Sequence, residues 1–317
     1  MDAIGGYFSL ELPWHEEYHK NAIKLNTGRN CLEYILRCRK YKKVYIPYYT
    51  CEVILEPFQK TGVSYDFYHI NLDFEIVDDI VLQKDEALLY TNYYGLKQNY
   101  VEILAYQYGK QLIVDNTQAF FANPINGVDT FYTCRKFFGV PDGAYLYTDV
   151  VADFPMEQDT SYERMNFLTK RIDLSAEDGY GDFRKSDDGL DGQPVKRMSK
   201  LTERLMQSVD YQRVKSIRKK NFCLFHEALL GTNQLHVVFS DETVPMVYPY
   251  MIKGGGLRDF LIQNKVFVAK YWPNVEKWTS YDSMERRWPD LIIPLPIDQR
   301  YNDKDIKYII TKINNYK

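Results

Sequence analysis

Residues 111–147 read QLIVDNTQAFFANPINGVDTFYTCRKFFGVPDGAYLY. An apolar strand ends in Asp115, a polar turn follows, and residues 129–134 resume a strand-like alternation. Lys136 comes next, ahead of the Gly/Pro-containing turn 139–143, and residues 144–147 form a third apolar run. In α/β proteins ligands sit beyond the carboxyl ends of strands, so a carboxylate and a lysine delivered there are able to face one bound molecule. The ordinary roles stay open at this point: a turn cap for Asp115 and a solvated surface position for Lys136.

Outward from this stretch, strands and helices alternate. Residues 44–47 read as a strand, 51–60 as a helix, and 64–70 and 87–93 as strands. Asn99 with Glu102 has capping-box spacing for a helix that Gly109 ends. This order implies right-handed crossovers and a mainly parallel sheet. Upstream, Leu32, Ile35 and Leu36 lie at helical spacing, so a helix runs over 28–40 with Asn26, Thr27, Gly28, Arg29 and Asn30 at its N-terminus. Such an end points backbone N–H groups and partial positive charge outward, and Gly28 lets an anion come close.

Residues 1–20 form an aromatic, acidic arm without periodicity. The polar stretch 157–197 lacks apolar periodicity and reads as a surface insertion or mobile cover, its basic residues interleaved with acids. Residues 201–230 carry long helical periodicity. Beyond them 244–252, 266–272 and 291–295 read as strands, and 257–263 and 303–313 as helices.

Composition narrows the classes. The chain has 317 residues, 45% hydrophobic and 26% charged, which suits a large soluble domain with a smaller one. A net charge of −3 gives no reason to expect nucleic acid or an anionic membrane. The five cysteines are scattered without CxxC spacing, no apolar run is long enough to span a bilayer, and the start lacks the order of a signal peptide. These features predict a cytoplasmic protein with free thiols. His15 and His19, an i, i+4 pair, lack the context of a metal site, and no metal is expected.

The motifs now carry a resemblance. LNTGRNCLEYIL, VYIPYYTCEVILEPF, VDNTQAF, CRKFFGVPDGAYL and IIPLPIDQRYNDKDIKYIITKI occur in the order of five segments of the DegT/StrS-type sugar aminotransferases. That family implies an α/β fold of the pyridoxal-phosphate (PLP) fold type I, aspartate aminotransferase-like. It pairs a large domain built on a mainly parallel sheet with a smaller C-terminal α/β domain, here 1–205 (with 157–197 inserted) and 206–317.

The resemblance implies pyridoxal 5'-phosphate as cofactor. Lys136 and Asp115 would be catalytic: Lys136 holds the cofactor through its amine and shuttles a proton, and Asp115 keeps the ring nitrogen protonated. Gln118 would meet the ring hydroxyl, while Gly28, Arg29, Asn30 and Thr133 would serve the phosphate. Cys51 stands where relatives carry a stacking aromatic residue, with Tyr49 and Tyr93 as candidates to replace it. A family branch that removes a sugar hydroxyl has histidine in place of Lys136, so the lysine argues for amination. The implied substrates are glutamate as amino donor and a nucleotide-linked keto sugar, and the implied assembly is a homodimer. Two alternatives remain: a fold that kept cofactor binding but lost turnover, or another fold type I reaction.

Overall fold

The structure is a computed structural model that describes residues 4–316. Residues 1–3, which open the expected 1–205 domain, and residue 317 lie outside the described residues. Its first part runs β1 (Ile23–Leu25), α1 (Gly28–Arg39), β2 (Lys43–Pro47), α2 (Leu55–Thr61), β3 (Ser64–Tyr68), β4 (Glu86–Thr91), α3 (Gln98–Tyr108), β5 (Leu112–Asp115), β6 (Asp129–Thr133) and β7 (Ala144–Tyr147). These strands form one seven-stranded sheet in the order β1-β7-β6-β5-β4-β2-β3. Pairing from β3 through β6 is parallel, and β7 and β1 close the far edge antiparallel.

Alternation along the strands explains the layers. In β4, Ala87 and Leu89 pack into one cluster with Leu32, Ile35 and Leu36 of α1, while Leu88 and Tyr90 point into the other. A parallel sheet is covered on both faces, which is why β4 and β5 read as nearly continuous apolar runs. Each buried aliphatic side chain contributes roughly 1.5–3 kcal/mol relative to exposure. Both layers therefore anchor the strand ends that carry polar groups.

Four expectations need correction, the strand at 266–272 among them. The 157–197 stretch is not a loop: it holds α4 (Asn166–Asp173) and α5 (Ala176–Asp188). Ser175 caps α5 by accepting the Asp178 N–H at 3.1 Å, and Phe167 packs edge-on to Phe183 at 5.5 Å. Both helices are largely exposed, and α5 carries Gly179 and Gly181 in its interior, residues that ordinarily signal a loop, so the pattern hid them. The 201–230 helix breaks in two, α6 (Lys200–Met206) and α7 (Tyr211–Leu229), because Asp210 caps a new helix by accepting the Arg213 N–H at 2.9 Å. The Asn99 capping box does not form, since α3 starts a residue earlier with Lys97 at its N-cap.

The rest of the chain comprises β8 (Val247–Met251), α8 (Leu257–Gln263), α9 (Val275–Trp278), α10 (Trp288–Leu291), β9 (Ile292–Pro296) and α11 (Asp303–Asn314). Among the described residues there, only β8 and β9 pair, antiparallel, and residues 266–272 form no strand. Arg258 of α8 donates to the carbonyls of Val268, Ala269 and Pro289, so side-chain donors satisfy that backbone in place of a ladder. No helix among the described residues is long and apolar enough to cross a membrane.

Candidate active site

The site lies where β5 and β6, parallel neighbours, end side by side. Asp115, the last residue of β5, is buried and accepts the backbone N–H of Thr117 at 2.8 Å. Lys136 follows β6 in a turn closed by the Phe137 and Phe138 N–H groups on the Cys134 carbonyl, at 3.0 and 2.9 Å. Its exposed ammonium donates to Thr117 Oγ1 at 2.9 Å. One threonine thus joins the carboxylate and the lysine.

The first turn of α1 faces the same place. Thr27 caps it by accepting the Asn30 N–H at 3.2 Å, while the N–H groups of Gly28 and Arg29 have no acceptor among the described residues. A Cβ on Gly28 would lie 3.3 Å from Thr117 Cγ2 and 3.9 Å from Thr133 Cβ. Hydrogen at this position keeps the helix end tight against both threonines. Thr133 Oγ1 is bonded only weakly, to the Gly143 carbonyl at 3.4 Å. The result is a pair of open amides beside a hydroxyl, an arrangement suited to an anion.

Not every expected residue turns inward. The Arg29 guanidinium is held by Glu56 at 2.8 Å and by Asp191, and the Asn30 amide donates to Asn26 Oδ1 and the Pro194 carbonyl, both at 2.8 Å. The structure does not bring either side chain together with Lys136 and Thr117. Gln118 is fully buried, and its Oε1 accepts the Tyr94 N–H at 2.7 Å. Its Nε2 is buried with no partner among the described residues. An orphaned amide donor is costly unless something else accepts from it, so Gln118 is poised for a ligand acceptor.

Tyr49 and Tyr93 are corrected as stacking candidates. Both rings are fully buried in an aromatic cluster with Phe74, and their hydroxyls bond the Tyr271 and Tyr49 carbonyls at 2.9 Å each. At Cys51 burial pushes the thiol up, while the Val53 backbone and the charges of Lys136 and Arg29 pull it back. Tyr271 neighbours Cys51, its hydroxyl pushed up to about 12 by burial and then by that thiol. Sequence reasoning missed Thr117, which stood between Asp115 and Gln118 in the quoted motif.

Two open hollows of about 590 and 640 Å³ lie elsewhere, beside α3 and at the C-terminal end of α1, and neither is lined by Lys136. His19 is buried among Phe120, Tyr132 and Tyr145, with Nε2 2.7 Å from the Phe120 carbonyl, and burial holds its imidazole down to about 4. No group of three or more His, Cys, Asp or Glu suited to a metal occurs among the described residues.

Structural comparison finds the same architecture in solved proteins at low identity. The sugar aminotransferase Spr1654 from Streptococcus pneumoniae, in a PMP form, is 13% identical, with 92% of this chain and 84% of that one covered and a TM-score of 0.65. CalS13 from Micromonospora echinospora, a sugar aminotransferase, is 11% identical over 94% and 88%, with a TM-score of 0.62. DesI, solved in the presence of its TDP-sugar product, is 14% identical over 92% and 79%, with a TM-score of 0.61. This is the fold of the sugar aminotransferases. No family model and no curated protein matches the sequence. The chain therefore has the fold type I α/β architecture, while its chemistry has to be argued from its own residues.

Proposed function

We propose that this chain is a PLP-dependent aminotransferase that moves an amino group, from glutamate, onto a keto sugar carried on a nucleotide in glycan precursor synthesis. The observation that carries this reading is the link Asp115–Thr117–Lys136 at adjacent strand ends, facing the open first turn of α1. The DesI neighbour, with its TDP-sugar product, supports a nucleotide sugar as the substrate class. We further read residues 206–317 as a smaller domain, the assembly as a homodimer and the location as cytoplasmic.

The residues present fit the cofactor. Its phosphate would be held by the Gly28 and Arg29 N–H groups and the Thr133 hydroxyl, and its ring hydroxyl would accept from the orphaned Gln118 Nε2. When bound, PLP supplies an aldehyde that captures amines and a ring that withdraws electrons. Asp115, buried and acceptor-only, would keep a proton on the ring nitrogen. Lys136 would supply the covalent hold and, once released, would carry a proton at Nζ. Thr117 orients that amine and, through its N–H, the carboxylate as well.

Two observations favour a second reading, a binder without turnover. The only cation in the first turn of α1, Arg29, is neutralised by two carboxylates, and Cys51 replaces the aromatic partner that the resemblance leads one to expect. An absorbance spectrum with added PLP, for wild type beside Lys136→Ala, then with excess L-glutamate, separates the readings. A visible band that requires Lys136 and is bleached by glutamate supports the aminotransferase. A band that persists with glutamate and with other amino donors supports the binder, and no band in wild type rejects both.

A further inference from the structure

Arg218 of α7 is a buried cation without a carboxylate in contact among the described residues. Its guanidinium donates to the carbonyls of Met246 at 2.9 Å, Phe137 at 3.3 Å and Pro245 at 3.4 Å, and lies 4.5 Å from the centre of the Phe137 ring. Asp298, the nearest source of negative charge, is engaged by Arg300 at 2.7 and 2.8 Å. Burial accordingly holds the Arg218 guanidinium down to about 10. An uncompensated buried cation costs several kcal/mol, so the carbonyls it gathers are the reason to look for a role.

One of those carbonyls, that of Phe137, belongs to the residue after Lys136, and the other two belong to the segment that leads into β8. Phe137 has its carbonyl held twice, by Arg218 and by Gln299 Nε2 at 2.8 Å, and its ring held by the same guanidinium. On the other side Arg135 is tied to Asp187 at 2.5 Å and packs on Phe183. Among the described residues the Lys136 side chain has one polar contact, to Thr117. The direction from which its amine approaches is therefore set by the backbone of its turn, and that backbone is gripped from α7 and from the segment after β9.

We propose that Arg218, assisted by Gln299, is a positioning residue for Lys136, making the placement of the reactive amine depend on the docking of residues 206–317 against the strand ends. This rests on the reading of Lys136 as the cofactor-holding lysine. A displacement of about 1 Å in a reacting group is enough to cost on the order of a hundredfold in rate. Arg218 touches no reacting atom and acts through Phe137.

The test uses the purified full chain without cofactor. Competitive acetylation with isotopically labelled acetic anhydride, read by mass spectrometry across neutral to alkaline pH, gives the reactivity profile of each lysine. Wild type, Arg218→Met, Gln299→Leu and Asn233→Ala are compared, the last a destabilising control that bonds the Pro249 carbonyl and not Phe137. In Arg218→Met and Gln299→Leu the Lys136 profile is expected to change, while Lys110 and Lys42 keep theirs; with PLP, band formation falls about ten- to a hundredfold. Asn233→Ala is expected to lose stability without altering Lys136. An unchanged Lys136 profile in folded Arg218→Met overturns the proposal. If that variant does not fold, an unchanged profile in Gln299→Leu does so. Because acetylation needs no cofactor, failure of wild type to form a band would reject the aminotransferase reading while leaving the positioning role to be judged on its own.

Discussion

Around Lys136 the protein leaves polar groups uncommitted, whereas around the first turn of α1 it uses up its side chains and leaves only backbone. Lys136 has a single neutral partner, and Gln118 Nε2 has none among the described residues. At the first turn of α1, Arg29 is held by two carboxylates and Asn30 by an amide and a carbonyl. The difference teaches where chemistry and where anchorage are available. Side chains able to exchange partners sit at the strand ends, while an anion at α1 would be met by fixed N–H groups whose cost of ordering the fold has already covered.

The comparison breaks most visibly at Asp115. In Asp115→Asn the new amide oxygen still accepts the Thr117 N–H, so the turn persists and only the negative charge is removed. The rate of the glutamate half-reaction is expected to fall at least about a hundredfold, roughly 2.7 kcal/mol of barrier. Stopped-flow absorbance at the cofactor band measures it. A variant within threefold of wild type would mean that the strand-end side does not depend on that charge.

Arg29 tests the opposite side. Arg29→Met removes both ion pairs but leaves Glu56 with Lys60 at 2.6 Å, so stability should drop by about 1–2 kcal/mol in urea unfolding. Affinity for PLP is expected to stay within threefold, because backbone N–H groups remain. A tenfold weaker affinity in a folded variant would show that the guanidinium leaves its carboxylates to meet the phosphate, and the two sides would then be alike.

The same contrast explains what could be read from the sequence. The motif around Asp115 and Lys136 was legible because strand ends and turns are local: Leu112–Asp115 and Asp129–Thr133 are strands near the expected places, and helix 28–40 ends within a residue of its expected stop. The partners of Arg29 and Asn30 were not legible, since Asp191 and Pro194 lie more than 160 residues away. Local pattern places a helix end but does not say which distant carboxylate will claim its side chains. Tyr49 shows the same limit, its hydroxyl reaching Tyr271, 222 residues along the chain. The irregular segment 266–272 was misread as a strand because its β-branched residues pack in the core without a partner strand to bond.

Acid should act on the α1 side through Glu56, and more gently than either substitution. Burial alone would raise the Glu56 carboxyl, but hydrogen bonds from Lys60 and Arg29 outweigh it and hold the group below its ordinary 4.5. A carboxylate whose folded pKa is depressed binds fewer protons in the folded than in the unfolded chain at mildly acidic pH. Its contribution is therefore complete above about pH 4.5 and is lost as pH falls through the lower, folded value. For a partly exposed group that contribution is about 1 kcal/mol or less. Urea unfolding of wild type and Glu56→Gln at neutral pH and near pH 3 reads it: the gap between the two proteins should close on acidification. In Arg29→Met the gap should already be smaller at neutral pH, since one of the two hydrogen bonds that depress Glu56 is gone. A gap that does not depend on pH would mean that Glu56 contributes through packing, leaving Asp191 as the carboxylate that fixes Arg29.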